Sequence, residues 1–197
     1  MTGTEKFTFD GNHAGFDLLD FWRFQYSNVF NLQEYIAEFI VAQALGMEKS
    51  HNTDSWTLFD ILYRNTRIEI KETSYYHPWN ENSPVSKQRT FGITKANSSY
   101  ESTEGENKYE RQNDIYVFCL NTGVDRESSY PLNLNNWEFY IIPTAFINEH
   151  CGDNKTISLG RIRNFGFAAK RYDEIRSEID SIINSMHVRT SESAGFK

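Results

Sequence analysis

The chain has 197 residues, 15% of them aromatic, and a formal net charge of −7. That length suits one domain with a substantial aromatic core, and the acidic balance excludes binding of nucleic acid through a general basic coat. The apolar runs fall far short of the ~20 residues that cross a bilayer, and nothing at the amino terminus suggests a signal peptide.

Two cysteines, Cys119 and Cys151, make no disulfide framework. A cytoplasmic protein with reduced thiols and no membrane partner is expected.

In chain order, residues 1–15 are polar and glycine-containing and read as a loose N-terminal arm. Residues 16–30 carry apolar side chains at helical spacing and predict a short helix packed on the body, with a dimer arm as the other reading. Residues 31–45 are the clearest helix, with Asn31 as N-cap, Glu34 at the capping-box position and Gly46 as the stop. Between Tyr35 and Leu45 only Glu38 and Gln43 are polar, so this helix is expected to be buried around most of its circumference. A carboxylate there needs a partner, a metal or the solvent edge.

The stretch Trp56–Trp79 predicts a β-hairpin. Arg67–Glu72 alternates, so Ile68 and Ile70 face one way while Arg67, Glu69 and Lys71 face the other. A four-residue turn at 63–66 places Asp60 directly opposite Glu69; a two-residue turn at 65–66 makes them diagonal; an unbulged three-residue turn separates them.

An aromatic loop follows, with Tyr75 and Tyr76 open to base stacking, Trp79 read as a roof over the core, and His77 as neither ligand nor base. Residues 86–94 read as a strand or edge carrying Lys87, Gln88 and Arg89, which suit phosphate contacts. With Arg64, Arg67, Lys71 and Lys95 they make either a phosphate-tracking patch or scattered solvated cations.

Residues 96–113 are too polar to order themselves and read as a flexible loop. Residues 114–120 and 137–143 are buried strands. Thr144 is expected to cap a short helix, residues 156–159 to form an edge strand, and residues 172–186 an amphipathic helix. Residues 187–197 read as a disordered tail. No GxxxxGK[ST], CxxC, HExxH or GxSxG occurs, which removes the usual cues for nucleotide hydrolysis, zinc catalysis and serine hydrolysis.

Two carboxylates and a lysine on one hairpin face suit metal-assisted phosphodiester hydrolysis; a surface ion pair is the plain alternative. The string Asp60…Glu69-Ile70-Lys71 resembles the PD-(D/E)xK nuclease superfamily, with an aromatic loop at Tyr75, Tyr76 and Trp79 and a Ser86-Lys87 segment as in one uncharacterised prokaryotic group of it. Phe59 stands where the naming proline would be.

The resemblance, over about residues 30–185, implies an α/β, restriction-endonuclease-like mixed central sheet flanked by helices, and the length suits one domain over residues 1–197. It implies a Mg²⁺-dependent (or Mn²⁺-dependent) endodeoxyribonuclease acting on DNA, restriction- or repair-like. Asp60, Glu69 and the Ile70 carbonyl would hold the ion, Lys71 would orient water, and Glu38 would support a second ion or a water. A double-strand break needs two cuts, which a homodimer would supply. The alternative is a nuclease-fold module that binds nucleic acid or protein without cutting.

Overall fold

The first strands lie where the sequence suggests a loose arm. Lys6–Phe9 (β1) pairs antiparallel with Asn12–Asp17 (β2), through a tight turn in which Asp10 and Gly11 both have positive φ. Asp17 then caps helix α1 (Leu18–Gln25) by a reciprocal box: its side chain accepts from the Asp20 N–H, and that of Asp20 accepts from the Asp17 N–H. This unit does not bury its aromatic side chains: Phe9 is 75% and Phe24 81% exposed. The short helix expected within 16–30 is present, though among the described residues Phe21 and Phe24 on it stay exposed. The computed structural model describes residues 2–26, 32–47, 59–77, 88–97 and 109–194.

Helix α2 (Gln33–Ala44) buries Ala37, Ile40 and Val41, with Leu45 just beyond its end. Tyr35 and Phe39, one turn apart, stand exposed, so the buried face is narrower than the apolar count implies. The expected cap, Asn31, lies outside the described residues, and Leu32 makes no side-chain cap bond. Gly46, at φ 74°, ends the helix as expected.

The hairpin is present. Ile61–Tyr63 (β3) pairs antiparallel with Thr66–Ser74 (β4), in the register Ile61↔Ile68 and Tyr63↔Thr66. Arg64 and Asn65 form the turn, with φ of 49° and 61°; positive φ at both centres gives the twist that two-residue hairpins need. The turn has two residues, one position earlier than the two-residue reading at 65–66, and its register is the one the four-residue reading gave; the pairing itself ends at Ile61↔Ile68, just short of Asp60.

Three short strands follow: Thr90–Gly92 (β5), Ala96–Asn97 (β6) and Tyr109–Glu110 (β7). β6 and β7 pair antiparallel at the two ends of the segment expected to be a flexible loop; its residues 98–108 lie outside the described residues. Ile115–Asn121 (β8) pairs parallel with β4, and Trp137–Pro143 (β9) antiparallel with β8. The central sheet is thus mixed, four-stranded and ordered β3-β4-β8-β9.

Helix α3 (Thr144–Cys151) comes directly off β9. Thr144 does not cap it: its hydroxyl instead accepts from Asn113 Nδ2 at 2.9 Å. Thr156–Ser158 (β10) pairs antiparallel with β5. Helix α4 (Leu159–Asn164) covers a stretch that the sequence leaves unassigned. Helix α5 (Ile175–Ala194) continues past Met186 into the segment expected to be a disordered tail.

Alternation gives the sheet two buried faces. Ile68, Ile70, Ile115, Val117, Phe139 and Ile141 pack against α2 and α5. Tyr116, Phe118, Leu120, Tyr140 and Ile142 pack against α3, α4, β5 and β10. The result is an α/β architecture with helices on both sides of the sheet. Among the described residues, no helix is long and apolar enough to cross a membrane.

Candidate active site

β3 is shorter than β4, and the candidate site lies where the pairing between them stops. Asp60 stands at the bend just before β3. Its N–H donates to the Ile68 carbonyl at 3.0 Å. Its carboxylate Oδ2 accepts from the Ile70 N–H at 2.6 Å. The side chain thereby pairs a main-chain donor on the side of β4 that β3 would otherwise cover.

Glu69 and Lys71 lie on one face of β4, as period-two alternation requires, and the Lys71 ammonium reaches Glu69 Oε1 at 2.5 Å. Ile70 between them is buried in the α2-side core. Asp60 and Glu69 line one cleft of about 210 Å³, which also includes Glu110, Arg111, Asn113 and Tyr116.

These charges act on one another. Burial, then the neighbouring charges of Asp60 and Glu34, push the Glu38 carboxyl up to about 7, while Lys71 opposes the rise. Burial also raises Asp60, against the pull of the Ile70 N–H and of Lys71. Glu69 is raised by burial and then by Asp60, and Lys71 restrains it. For Lys71 burial disfavours the charge, but Glu69, Asp60 and Glu34 outweigh it and lift the ammonium's pKa. One ammonium thus stands among several carboxylates that resist ionisation, which is the field a cation would relieve.

Among the described residues, no three His, Cys, Asp or Glu side chains converge as a protein-only metal cage requires. Magnesium does not need one. It keeps its waters and is commonly held by one or two carboxylates together with substrate phosphates. The oxygen donors of Asp60 and Glu69 fit that chemistry.

The expected nucleic-acid contacts fare differently. Tyr75 and Tyr76 are 8% and 6% exposed; as packed side chains they offer no open stacking surface, and that role is corrected. Arg89 donates to the carbonyls of Ser74 (2.5 Å), Tyr75 (2.7 Å) and Gln88 (3.1 Å), so it braces the chain after β4 rather than reaching for phosphate. Gln88 is exposed beside it. Lys87, together with Ser86 and Trp79, lies outside the described residues.

The basic cluster does not form an open patch either. Arg64 pairs with Asp180, Arg67 with Asp114, and Lys95 with Asp153. These three cations each answer a carboxylate from a distant segment, while Lys71 answers Glu69 on its own strand.

Three residues escaped the sequence, two of which line the cleft. Glu72 shares the buried face of Ile68 and Ile70; burial pushes its carboxyl up to about 7, and the Ser74 hydroxyl donates to it at 2.5 Å. The period-two pattern carried that signal. Arg111 sits in the polar stretch before β8, where nothing distinguishes a buried arginine from a solvated one. Tyr116 belongs to a continuous apolar run that does not reveal which face each residue takes.

Comparisons with protein-family models, with curated proteins and with solved structures found no match to this chain. The functional reading therefore rests on the side chains themselves.

Proposed function

We propose that the protein is a divalent-metal-dependent nuclease of restriction-endonuclease-like architecture that hydrolyses DNA phosphodiester bonds endonucleolytically. The supporting observation is the gathering of Asp60, Glu69 and Lys71 at the open end of the β3–β4 hairpin, with Glu38 close enough to feel their charges. Asp60 and Glu69 would hold Mg²⁺ or Mn²⁺, with the Ile70 carbonyl added by the resemblance. When bound, the ion neutralises charge on the phosphate and acidifies a water.

The chain's own groups divide the remaining work. The Lys71 ammonium, anchored by Glu69, orients the water and steadies the developing negative charge. Glu38 titrates near neutrality and can accept the water's proton at the pH where it works. Asp60 is fixed in direction by the Ile70 N–H, so its second oxygen is the one presented to a ligand.

DNA is the proposed substrate, and a second copy of the chain is the proposed partner for a double-strand cut. One observation favours the other reading, a module that binds without cutting. Asp60 already accepts from a main-chain N–H and Glu69 already holds Lys71, so the cluster is satisfied without an ion.

Cleavage of plasmid, linear and single-stranded DNA in Mg²⁺ or Mn²⁺ separates the two. Cutting by the wild type that is lost in both Asp60→Asn and Lys71→Ala, with folding retained, supports the enzyme. A wild type that cuts none of these substrates with either ion overturns it.

A further inference from the structure

Residues 2–26 form a unit with a defined shape and almost no interior. Main-chain bonds tie its helix to its first residues: the N–H groups of Leu18 and Leu19 donate to the carbonyls of Glu5 and Gly3, both at 2.9 Å. Phe7 and Phe16 meet across the β1–β2 pair, with ring centroids 5.0 Å apart. Yet Phe9, Phe16, Phe21, Phe24 and Tyr26 all stand exposed. A two-stranded hairpin and a helix of eight residues are each marginal in water unless something covers their apolar side.

A second surface of the same chain is also left open. On α2, Tyr35 and Phe39 lie one turn apart and are 66% and 63% exposed, on the side of the helix away from Ala37, Ile40 and Val41. Within one chain the N-terminal unit and this face of α2 leave each other uncovered. At ~200 Å² for a fully exposed ring, the five side chains of the unit and the α2 pair together offer about 850 Å². A standard interface buries ~800 Å² per partner.

We propose that the aromatic N-terminal unit, residues 2–26, docks on the Tyr35–Phe39 face of α2 in a second copy of this chain, giving a two-fold, arm-exchanged dimer. Reciprocity selects this occupant. In a two-fold pair one contact, made twice, closes both surfaces of both chains; a foreign protein seated on either surface leaves the other exposed. The nuclease reading gives the pair a use, two cuts by two copies, but none of its support.

Sedimentation velocity on the full chain over a range of concentrations, without DNA or metal, reads the association directly. The wild type should sediment as a dimer. Phe9→Ser combined with Phe24→Ser should raise the dissociation constant by about a hundredfold or more, since the rings supply most of the buried apolar area. Tyr35→Ser combined with Phe39→Ser should do the same from the opposite surface. All four side chains are exposed in the single chain, so both variants should keep the wild-type circular-dichroism spectrum, and misfolding of one pair leaves the other to decide. Mild oxidation of an equal mixture of Phe24→Cys and Phe39→Cys should join the two variants to each other; the native Cys119 and Cys151 are buried and stay out of the reaction.

A wild type that is monomeric at every concentration, a dimer that neither pair of substitutions weakens, or a mixture that joins only like variants overturns the proposal. So does a disulfide that closes only within one Phe24→Cys/Phe39→Cys chain, which would fold the unit back onto its own α2. Because no readout uses DNA or a metal, failure of the dimer and failure of the wild type to cut DNA are separate results.

Discussion

Replacing Glu38 by Gln removes a carboxyl that burial, and then the charges of Asp60 and Glu34, displace strongly, while keeping its shape. The folded protein holds this group at about 7 against an ordinary 4.5, so its ionised form is the disfavoured one. A carboxyl raised in this way contributes its stability in full below pH 4.5 and loses it as the pH rises toward 7. At ~1.36 kcal/mol per pKa unit, that interval sets a ceiling near ~3 kcal/mol. Glu38 is only half-buried and water screens it, so about 1 kcal/mol is expected.

Urea unfolding at several pH values between 4.5 and 8 reads the difference. Wild type and Glu38→Gln should coincide at the acid end, and the variant should lead by a few tenths of a molar in midpoint at pH 8, given a urea slope of roughly 2 kcal/mol per molar. Added Mg²⁺ should stabilise the wild type increasingly as the pH rises, because the ion competes with protons for the same oxygens. A constant gap between the two proteins across this range, or a variant weaker than wild type at pH 8, would refute the claim that burial and the neighbouring carboxylates hold Glu38 protonated near neutrality.

Four further outcomes are expected. Lys71→Ala should lower DNA cleavage by about a hundredfold or more and leave the melting temperature nearly unchanged, since its pair with Glu69 is partly solvated. Asp60→Asn should keep the Ile70 N–H paired and retain stability, whereas Asp60→Ala should cost about 1–3 kcal/mol by chemical denaturation through the orphaned donor. Asp114→Ala removes the acceptor of the Arg67 N–H (2.8 Å) and of its guanidinium (2.9 Å), and should destabilise by about 2 kcal/mol in the same assay. Gly123→Ala would set a methyl 2.2 Å from the Ser129 main chain and should cost about 3 kcal/mol or abolish soluble expression.

The hairpin was legible because two local signals agreed. Ile68 and Ile70 alternate with charged residues, and the polar residues around Asn65 supply a turn; both depend on spacing along the chain and on nothing remote. The buried strands β8 and β9 were legible for a similar reason, since an unbroken run such as Ile115–Leu120 has few other ways to be satisfied. What the sequence concealed was pairing at long range. Arg64, Arg67 and Lys95 look like a basic patch when read in line, but their carboxylate partners are Asp180, Asp114 and Asp153, and no local rule joins them. Tyr75 and Tyr76 follow the same logic: a tyrosine's polar tip suits a surface and its ring suits a core, and packing against distant strands decided for the core.

The position of the cluster follows from a mismatch in strand length. β4 has nine residues and β3 has three, so beyond Ile68 the chain must find other partners for the main-chain donors of β4 on that side. Asp60 provides one with its side chain, and this draws a carboxylate onto the edge beside Glu69. Once there, its hydrogen bond is met but its charge is not fully balanced among the described residues: the Lys71 ammonium is already shared between Glu69 and the field of Asp60 and Glu34. The same geometry that completes the hairpin therefore accumulates negative charge, and protons or a divalent ion are the two agents that can balance it. At acid pH protons do so and the cluster is inert. Near neutrality, where Glu38 releases its proton, a divalent ion would become the better partner, which is the condition the proposed hydrolysis requires.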